Sequence, residues 1–143
     1  MPVIEVLPVD SDREFNLIFD IRRIVFQGEQ NVSDEDEFDG HDHISHHYIA
    51  LRDGKPCGTA RWRVTPAGNI KLERFAVLQE FRGLGIGRKL VEKILTEVPK
   101  TLKVYLHAQS QVVSFYEKFG FLAEGPEFDE AEIMHRRMVF QKN

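Results

Sequence analysis

The chemistry of this chain is most readily recognised in residues 82–88, where three glycines alternate with apolar residues between two arginines, as Arg82-Gly83-Leu84-Gly85-Ile86-Gly87-Arg88. A strand pattern precedes this run and a helix pattern follows it. Glycine permits a turn that exposes consecutive backbone N–H groups, and the helix behind the turn adds the positive end of its dipole. The run therefore predicts a site for a phosphorylated ligand.

Two common nucleotide-binding motifs do not fit this run. A Walker loop requires a lysine and then a serine or threonine after its last glycine, whereas Gly87 is followed by Arg88, Lys89 and Leu90. A dinucleotide fingerprint requires two residues between its second and third glycines, and only Ile86 separates Gly85 from Gly87 here. A glycine-rich connection without a ligand stays open as the alternative.

The elements that must position this turn follow from the hydrophobic pattern. Ser11-Asp12-Arg13-Glu14 is a capping box that predicts the start of a helix ending near Gly28. Alternating apolar residues predict strands at 3–7, 48–51, 59–64, 70–77, 102–106, 121–122 and 133–140. Helical spacing predicts a helix after the glycine turn that stops at Pro99, and a short one over 112–116. Strands mixed with helices predict a mixed α/β sheet.

The strand at 70–77 changes phase in its middle. Ile70 and Leu72 alternate with charged residues, yet the next apolar residues are Phe75 and Val77. A β-bulge near Glu73 produces such a shift by one residue and leaves backbone groups unpaired. We therefore predict a bulge beside the glycine turn.

Composition limits the remaining possibilities. The chain has 143 residues, 42% of them hydrophobic and 29% charged, which predicts a single domain over residues 1–143. The net charge of −4 disfavours nucleic acid, and no apolar run approaches the ~20 residues of a membrane span. The N-terminus does not resemble a signal peptide, and a single cysteine, Cys57, predicts a cytoplasmic protein. Acidic runs at 34–39 and 124–132 are interpreted as solvated loops.

Two segments together resemble the GNAT acyltransferase superfamily. Residues 82–87 fit its pyrophosphate motif, Arg/Gln-x-x-Gly-x-Gly/Ala, and residues 115–121, Phe-Tyr-Glu-Lys-Phe-Gly-Phe, are similar to its second motif. The asparagine usual in that second motif is replaced by Gln109. Further similarity to a small bacterial subgroup spans most of the chain, although Glu132-Ile133-Met134-His135 replaces the usual Gly-Ile-Pro-His. The resemblance implies an α/β (α+β) fold with a mixed, mostly antiparallel twisted sheet flanked by helices.

The resemblance implies acetyl-CoA as the acyl donor and no metal. Backbone N–H groups of residues 83–88 would bind the pyrophosphate, and the flanking arginines would supply charge, with surface solubility as their alternative role. The strand before the turn would pair with the pantetheine amides through its backbone. The cofactor-binding residues implied in this way are Phe75, Ala76, Val77, Arg82, Gly83, Leu84, Gly85, Ile86, Gly87, Arg88 and Gln109.

The resemblance also implies catalytic roles. The N–H of Ala76 or Val77 would donate to the thioester oxygen. Tyr116 would protonate the departing thiolate, because a phenol with a pKa of ~10 is protonated at neutral pH. Glu73, at the bulge, would be the base, acting directly or through a water, with a pKa raised by partial burial. The alternatives are a packing tyrosine and an ion pair between Glu73 and an arginine, and Glu29 is a weaker candidate for the base.

Two groups of polar residues have open interpretations. Arg61 and Arg63 share one strand face and either bind an anionic acceptor or face solvent. The tract His41, His43, His46 and His47 has no defined zinc spacing, so a flexible acidic loop beside the acceptor cleft is favoured over a metal site. His107 and His135 lie on predicted strands, where a structural histidine is the more common role.

The resulting hypothesis is a cytoplasmic N-acetyltransferase that moves acetyl from acetyl-CoA to a primary amine of a small molecule or peptide. Attack is direct, within a ternary complex, because Cys57 lies on another strand and offers no covalent route. A non-catalytic acyl-CoA-binding sensor and a metal-binding protein are the alternatives. Homodimers are common in the superfamily, and neither nucleic acid nor a membrane is an expected partner.

Overall fold

The computed structural model describes residues 2–141, and seven strands within this range form one sheet in the order β1-β2-β3-β4-β5-β7-β6. Neighbouring strands are antiparallel except β4 and β5, which are parallel. The strands are β1 (Ile4–Pro8), β2 (His46–Arg52), β3 (Lys55–Val64), β4 (Ile70–Val77), β5 (Val104–Gln109), β6 (Phe121–Glu130) and β7 (Ile133–Phe140). The helices are α1 (Asp12–Arg22) with a π-helical continuation (Arg23–Glu29), α2 (Asp34–Glu37), α3 (Ile86–Glu97) and α4 (Val113–Glu117). The predicted fold class is confirmed.

The predicted capping box starts α1. The Ser11 hydroxyl accepts a hydrogen bond from the backbone N–H of Glu14 at 3.2 Å. The Glu14 carboxylate in turn accepts from the backbone N–H of Asp10 at 3.1 Å, one residue before the cap. Both N–H groups would otherwise lack partners at the helix start.

Helices cover the two faces of the sheet unequally. On one face, α3 and α4 pack on strand side chains to form the main core, which includes Ile70, Leu72, Ile86, Leu90, Ile94, Val104 and Leu106. On the other face α1 contributes a smaller apolar contact, in which Ile21 and Val25 pack on Ala76. Much of this second face is polar. Side chains that could take part in catalysis therefore lie on this polar face.

The predicted bulge is present in β4. Arg61 on β3 pairs with Glu73 and Thr59 pairs with Ala76, so two residues of β4 oppose one residue of β3. Arg74 adopts the left-handed conformation with φ of 60°. This bulge moves the apolar side chains from even to odd positions, which explains the change of phase in the sequence.

The bulge is followed by a separation of two central strands. β4 and β5 pair only at residues 70–72 and 104–106, and beyond these positions the strands part. Residues 73–77 of β4 therefore have a strand neighbour on the β3 side alone. The separation creates an opening in the middle of the sheet, next to the turn that leads into α3.

Strand β6 corrects a prediction. Residues 124–130 form strand rather than part of the solvated loop predicted over 124–132, and they include Gly125 and Pro126. β6 lies at the edge of the sheet, where proline is tolerated and charged residues protect the unpaired side. The sequence pattern could not reveal this strand because it lacks alternating apolar residues.

No helix within residues 2–141 combines the length and the apolar character that spanning a bilayer requires.

Candidate active site

A cavity of about 870 Å³ occupies the opening between β4 and β5. It extends from the glycine turn, past the bulge, to the polar face of the sheet. The walls contain most of the predicted site residues, together with side chains that the sequence analysis did not place there. Among the lining residues are Arg63, Lys71, Glu73, Phe75, Ala76, Val77, Arg82, Gly83, Gly85, Ile86, Gly87, Arg88, His107, Gln109, Tyr116, Glu130 and His135.

The glycine turn presents free backbone donors at one end of this cavity. Gly83 and Gly85 have φ values of 78° and 87°, a conformation that residues with a Cβ adopt only with strain. Within residues 2–141, no hydrogen bond occupies the N–H groups of residues 83–88, and no side chain caps α3. The first intrahelical bond comes from Lys89, which donates to the Gly85 carbonyl at 3.1 Å. These donors and the dipole of a 12-residue helix make an anion site.

The two arginines beside this turn differ in their contacts. Arg82 donates from Nε to the Val77 carbonyl at 2.9 Å and forms an ion pair with Glu29 at 2.7 Å. Arg88 lies on the exposed surface of α3, 3.6 Å from Glu92. Arg82 thus links the turn to the strand on which the cavity opens, while the Arg88 side chain is 69% exposed in the first turn of α3.

The backbone of β4 has a defined orientation at the cavity. The Leu78 N–H donates to the Cys57 carbonyl on β3. Because main-chain groups of alternate residues point to the same side of a strand, Ala76 also faces β3, and Val77 faces the cavity. The Arg82 contact to the Val77 carbonyl agrees with this orientation. Of the two predicted oxyanion donors, Val77 is the one whose N–H points into the cavity.

Tyr116 lies on α4 with its ring packed among aromatic side chains. Its ring centroid is 5.7 Å from that of Phe75 and 6.1 Å from that of Phe121. Burial raises the pKa of the Tyr116 hydroxyl, so the phenol stays protonated at neutral pH. No hydrogen bond from this hydroxyl to a residue in the described range is observed. A protonated donor without an internal partner therefore lines the cavity.

The sequence-based prediction of a raised pKa for Glu73 is wrong. Its carboxylate accepts from Arg63 Nε at 2.7 Å and from Arg61 at 3.0 Å, and lies 3.2 Å from Lys71. Burial alone would raise the pKa of this carboxyl, but the hydrogen bond from Arg63 and the surrounding positive charges lower it to about 2. The structure shows the alternative role of Glu73, an ion pair, with three cations rather than one arginine. A carboxylate with so low a pKa is a poor base for an ammonium group.

This ion cluster predicts a dependence of stability on pH. Glu73 has a pKa of about 2 in the folded chain against an ordinary value of 4.5, so its stabilisation is complete above about pH 5 and is lost as the pH falls towards 2. Between pH 6 and pH 3 the difference in unfolding free energy between the wild type and Glu73→Gln should shrink by roughly 2 kcal/mol. Urea titrations at both pH values measure it, with exposed Glu80→Gln as the control. A constant difference would contradict the assigned ion pairs.

Buried arginines hold the acidic segment 34–42, which corrects the prediction of a solvated loop. Arg22 and Glu37 form an ion pair in which each side chain is 1% exposed. Arg61, which has no exposed side-chain surface, binds Asp39 at 3.0 Å and Asp42 at 2.7 Å. Arg61 thus does not face solvent, and carboxylates of this chain occupy its guanidinium. These ion pairs anchor the segment against the sheet, where it covers one side of the cavity.

The histidines of the tract 41–47 have different surroundings in the fold. His46 stacks on Trp62 with ring centroids 3.9 Å apart, and buried His47 hydrogen-bonds the Asp42 carbonyl at 2.9 Å. Burial lowers the pKa of His47, so its imidazole is neutral at pH 7. Within residues 2–141, no group of three or more His, Cys, Asp or Glu side chains is arranged to hold a metal ion.

Two other histidines meet in the cavity wall, and the sequence analysis did not foresee it. His107 on β5 and His135 on β7 both contact Glu130, at 3.0 Å and 3.7 Å. The strands are neighbours, and His135 pairs with Gln109, two residues from His107. Only the order of the strands brings these residues together, so no sequence motif could have revealed the cluster.

Gln109 ends β5 inside the cavity. Its amide nitrogen donates to the Gln30 side chain at 2.8 Å, and its amide oxygen accepts from Gln111 at 3.2 Å. Both ends of the amide are thus used within the chain. Its role in coenzyme A binding stays a prediction.

Known proteins resemble this chain in sequence and in fold. A family model described as an acetyltransferase (GNAT) domain matches residues 26–142. The uncharacterized N-acetyltransferase YjcF of Bacillus subtilis is 38% identical over 133 residues, which cover 90% of this chain and 94% of that protein. An acyl-CoA N-acyltransferase from Pseudomonas aeruginosa has a TM-score of 0.84 at 27% identity, over 99% of this chain and 100% of that one.

A more distant protein has the same fold. A GNAT family acetyltransferase from Elizabethkingia anophelis, whose crystal structure contains acetyl-CoA, has a TM-score of 0.68 at 15% identity, over 95% of this chain and 94% of that one.

Proposed function

The chain belongs to the GNAT acetyltransferase family, and from that premise we propose that it transfers an acetyl group from acetyl-CoA to a primary amine. One observation carries the proposal: the unoccupied N–H groups of residues 83–88 lie at the mouth of the cavity between β4 and β5. A donor with a diphosphate and a long amide-containing arm is the ligand class that this arrangement suits.

Coenzyme A would extend across the opening in the sheet. The diphosphate binds the N–H groups of the turn, with Arg88 and Arg82 nearby. The pantetheine arm pairs with the free side of β4 as an added strand does, through the Val77 N–H. The Val77 carbonyl becomes available once Arg82 turns from it towards the diphosphate, a stronger anionic partner than the carbonyl.

The reaction would proceed by direct attack within a ternary complex. The amine nitrogen attacks the thioester carbon, a C–N bond forms, and the C–S bond breaks. The Val77 N–H stabilises the negative charge that develops on the thioester oxygen. The Tyr116 hydroxyl gives its proton to the departing thiolate, and the resulting phenolate takes up a proton from the new amide nitrogen. Glu73 takes no proton in this scheme; it holds Arg63 and Lys71 in the cavity wall.

The acceptor is a small molecule or peptide with a primary amine, in keeping with the family. The polar face of the sheet, the fastened acidic segment and the β6–β7 hairpin surround the part of the cavity available to it. Spermidine, glucosamine and lysine represent the amine classes to compare. A homodimer and a cytoplasmic location stay predictions from the sequence.

The proposal is tested by two measurements on the wild-type chain. Calorimetry with acetyl-CoA should give binding below the millimolar range, and a thiol reagent should detect coenzyme A release that depends on an added amine. Absence of binding at millimolar acetyl-CoA would end the proposal. Binding without turnover for any amine would favour the alternative, a non-catalytic sensor of acyl-CoA.

Substituting the glycine turn should weaken acetyl-CoA binding selectively. Gly85→Ala places a Cβ on a residue with φ of 87°, which shifts the neighbouring N–H donors, so we expect the dissociation constant to rise about tenfold. Gly68→Ala is the matched control, because Gly68 has a φ of 84° in a turn far from the cavity and no atom near its added Cβ. Calorimetry on both variants measures the effect, and equal affinities would contradict the assigned diphosphate site.

A further inference from the structure

His107 lies where β4 and β5 begin to separate. The last paired residues are Leu72 and Leu106, and the next positions along the two strands are Glu73 and His107. Glu73 starts the bulge, so His107 faces the bulge across the opening, on the same sheet face as Lys71. The proposed function puts the thioester carbon beside the Val77 N–H, four residues beyond Glu73 along β4 in the same cavity. The acceptor amine would lie between that carbon and the narrow end of the opening, where His107 is placed.

The partners of the two histidines fix which nitrogen carries the hydrogen. His107 Nδ1 is 3.0 Å from a Glu130 oxygen, and the hydrogen bond from His107 lowers the pKa of Glu130, so that partner is a carboxylate that only accepts. His135 Nδ1 is 2.7 Å from the Ile133 carbonyl, which also only accepts. His107 therefore donates from Nδ1 and keeps the lone pair on Nε2 when it is neutral, whereas His135 Nε2 lies 3.7 Å from the second Glu130 oxygen.

Glu130 is placed by a strained turn. Ala131 and Glu132, which join β6 to β7, have φ values of 54° and 64°, although neither is glycine. Glu130 pairs with Ile133 across this two-residue turn, and its side chain reaches over both histidines. Positive φ at both central residues is the geometry that a two-residue hairpin turn requires, and it fixes the backbone of Glu130 at the end of β6.

We propose that His107, Glu130 and His135 form the site that receives the acceptor's ammonium group, and that His107 Nε2 removes its proton. This inference rests on the proposed function. The ammonium N–H bond breaks, the proton moves to Nε2, and the electron pair stays on the amine nitrogen for attack on the thioester carbon. The Glu130 carboxylate stabilises the imidazolium that results and orients its ring. The ligand class is a primary amine that is protonated at neutral pH.

Charged groups on the neighbouring strands influence this proton transfer electrostatically. Glu130 on β6 and His135 on β7 contact the site directly, and Lys71 on β4 acts on the Glu130 carboxylate. Arg137, which pairs with His107 across β5 and β7, stacks on the Tyr105 ring at 4.1 Å and bonds Glu124 at 3.0 Å. Tyr105 and Glu124 thus engage the Arg137 guanidinium, and Glu130 is the anion in contact with the imidazole.

The experiment compares two amines. Propylamine is almost entirely protonated at neutral pH and needs a base, whereas hydroxylamine is mostly unprotonated and does not. His107→Asn keeps a donor for Glu130 in place of Nδ1 but has no Nε2. We expect it to lower kcat/KM for propylamine by about 10²-fold or more and for hydroxylamine by much less. Coenzyme A release, corrected for the reaction without protein, is the readout.

Two further variants separate a chemical role from a structural one. Glu130→Gln should lower kcat/KM for propylamine more than for hydroxylamine, because the imidazolium loses its neighbouring negative charge. His43→Asn, which changes an exposed histidine outside the cavity, should leave both amines unaffected. Acetyl-CoA calorimetry verifies that each variant is folded.

Failure of this inference and failure of the proposed function would give different results. Equal losses for both amines in His107→Asn, or no loss for either, would overturn the inference while leaving the proposed function in place. A wild-type chain that binds acetyl-CoA but acetylates neither amine would contradict the proposed function itself, and the inference with it.

Discussion

Replacing Glu37 by alanine is expected to lower the free energy of unfolding by about 3–5 kcal/mol, because it leaves the Arg22 guanidinium buried without its closest partner. Arg22 is 1% exposed, so water does not replace the lost carboxylate. Arg74, which also contacts Glu37 at 3.5 Å, loses a partner as well. Urea titration of the wild type and of Glu37→Ala measures the difference. Exposed Glu35→Ala, two residues away, is the control that should change stability little.

The double variant Arg22→Met with Glu37→Leu separates the cost of burying the two charges from the stabilisation that their ion pair provides. Burial raises the pKa of Glu37 even though Arg22 is adjacent, so desolvation consumes much of what the ion pair contributes. Apolar side chains of similar volume should therefore recover a large part of the stability that Glu37→Ala removes. A double variant as unstable as Glu37→Ala would show instead that the pair itself stabilises the segment over the cavity.

Replacing Tyr116 by phenylalanine is expected to lower kcat by about 10²-fold or more, because the thiolate then leaves without a proton donor. The affinity for acetyl-CoA should change little, since the hydroxyl makes no hydrogen bond with the described part of the chain. For the same reason the folded chain should lose little stability, and the aromatic contacts with Phe75 and Phe121 are kept.

The measurement for Tyr116→Phe is coenzyme A release at saturating acetyl-CoA, with calorimetry in parallel. Tyr48→Phe is a suitable control: this hydroxyl donates to Glu97 at 2.6 Å and lies outside the cavity, so the substitution should lower stability but not turnover. Full turnover in Tyr116→Phe would remove the acid assignment and leave the cofactor site intact.

Local patterns in the sequence were sufficient for the central elements. The strand 70–77, its bulge and the helix after the glycine turn were predicted, because alternation, phase and glycine spacing are properties of neighbouring residues. The turn's free N–H groups follow from the same local rules. The bulge keeps Phe75 and Val77 on the same sheet face as Ile70 and Leu72, although their positions change from even to odd.

Long-range charge pairing could not be predicted in the same way. Glu73 acquires its low pKa from Arg63 and Arg61 on another strand. Ion pairs with Arg22 and Arg61 anchor the acidic segment, although most of its carboxylates stay exposed. A run of acids resembles a solvated loop unless the positions of its partners are known. The His107–Glu130–His135 cluster depends on β5, β7 and β6 lying side by side, an order that the sequence does not display.

The central claim concerns the backbone of residues 83–88, and amide NMR spectra recorded during a coenzyme A titration test it most directly. If these N–H groups bind the diphosphate, their signals and that of Val77 should shift most as coenzyme A is added. Saturable binding of coenzyme A that leaves the signals of residues 83–88 in place, while other amides shift, would contradict the account.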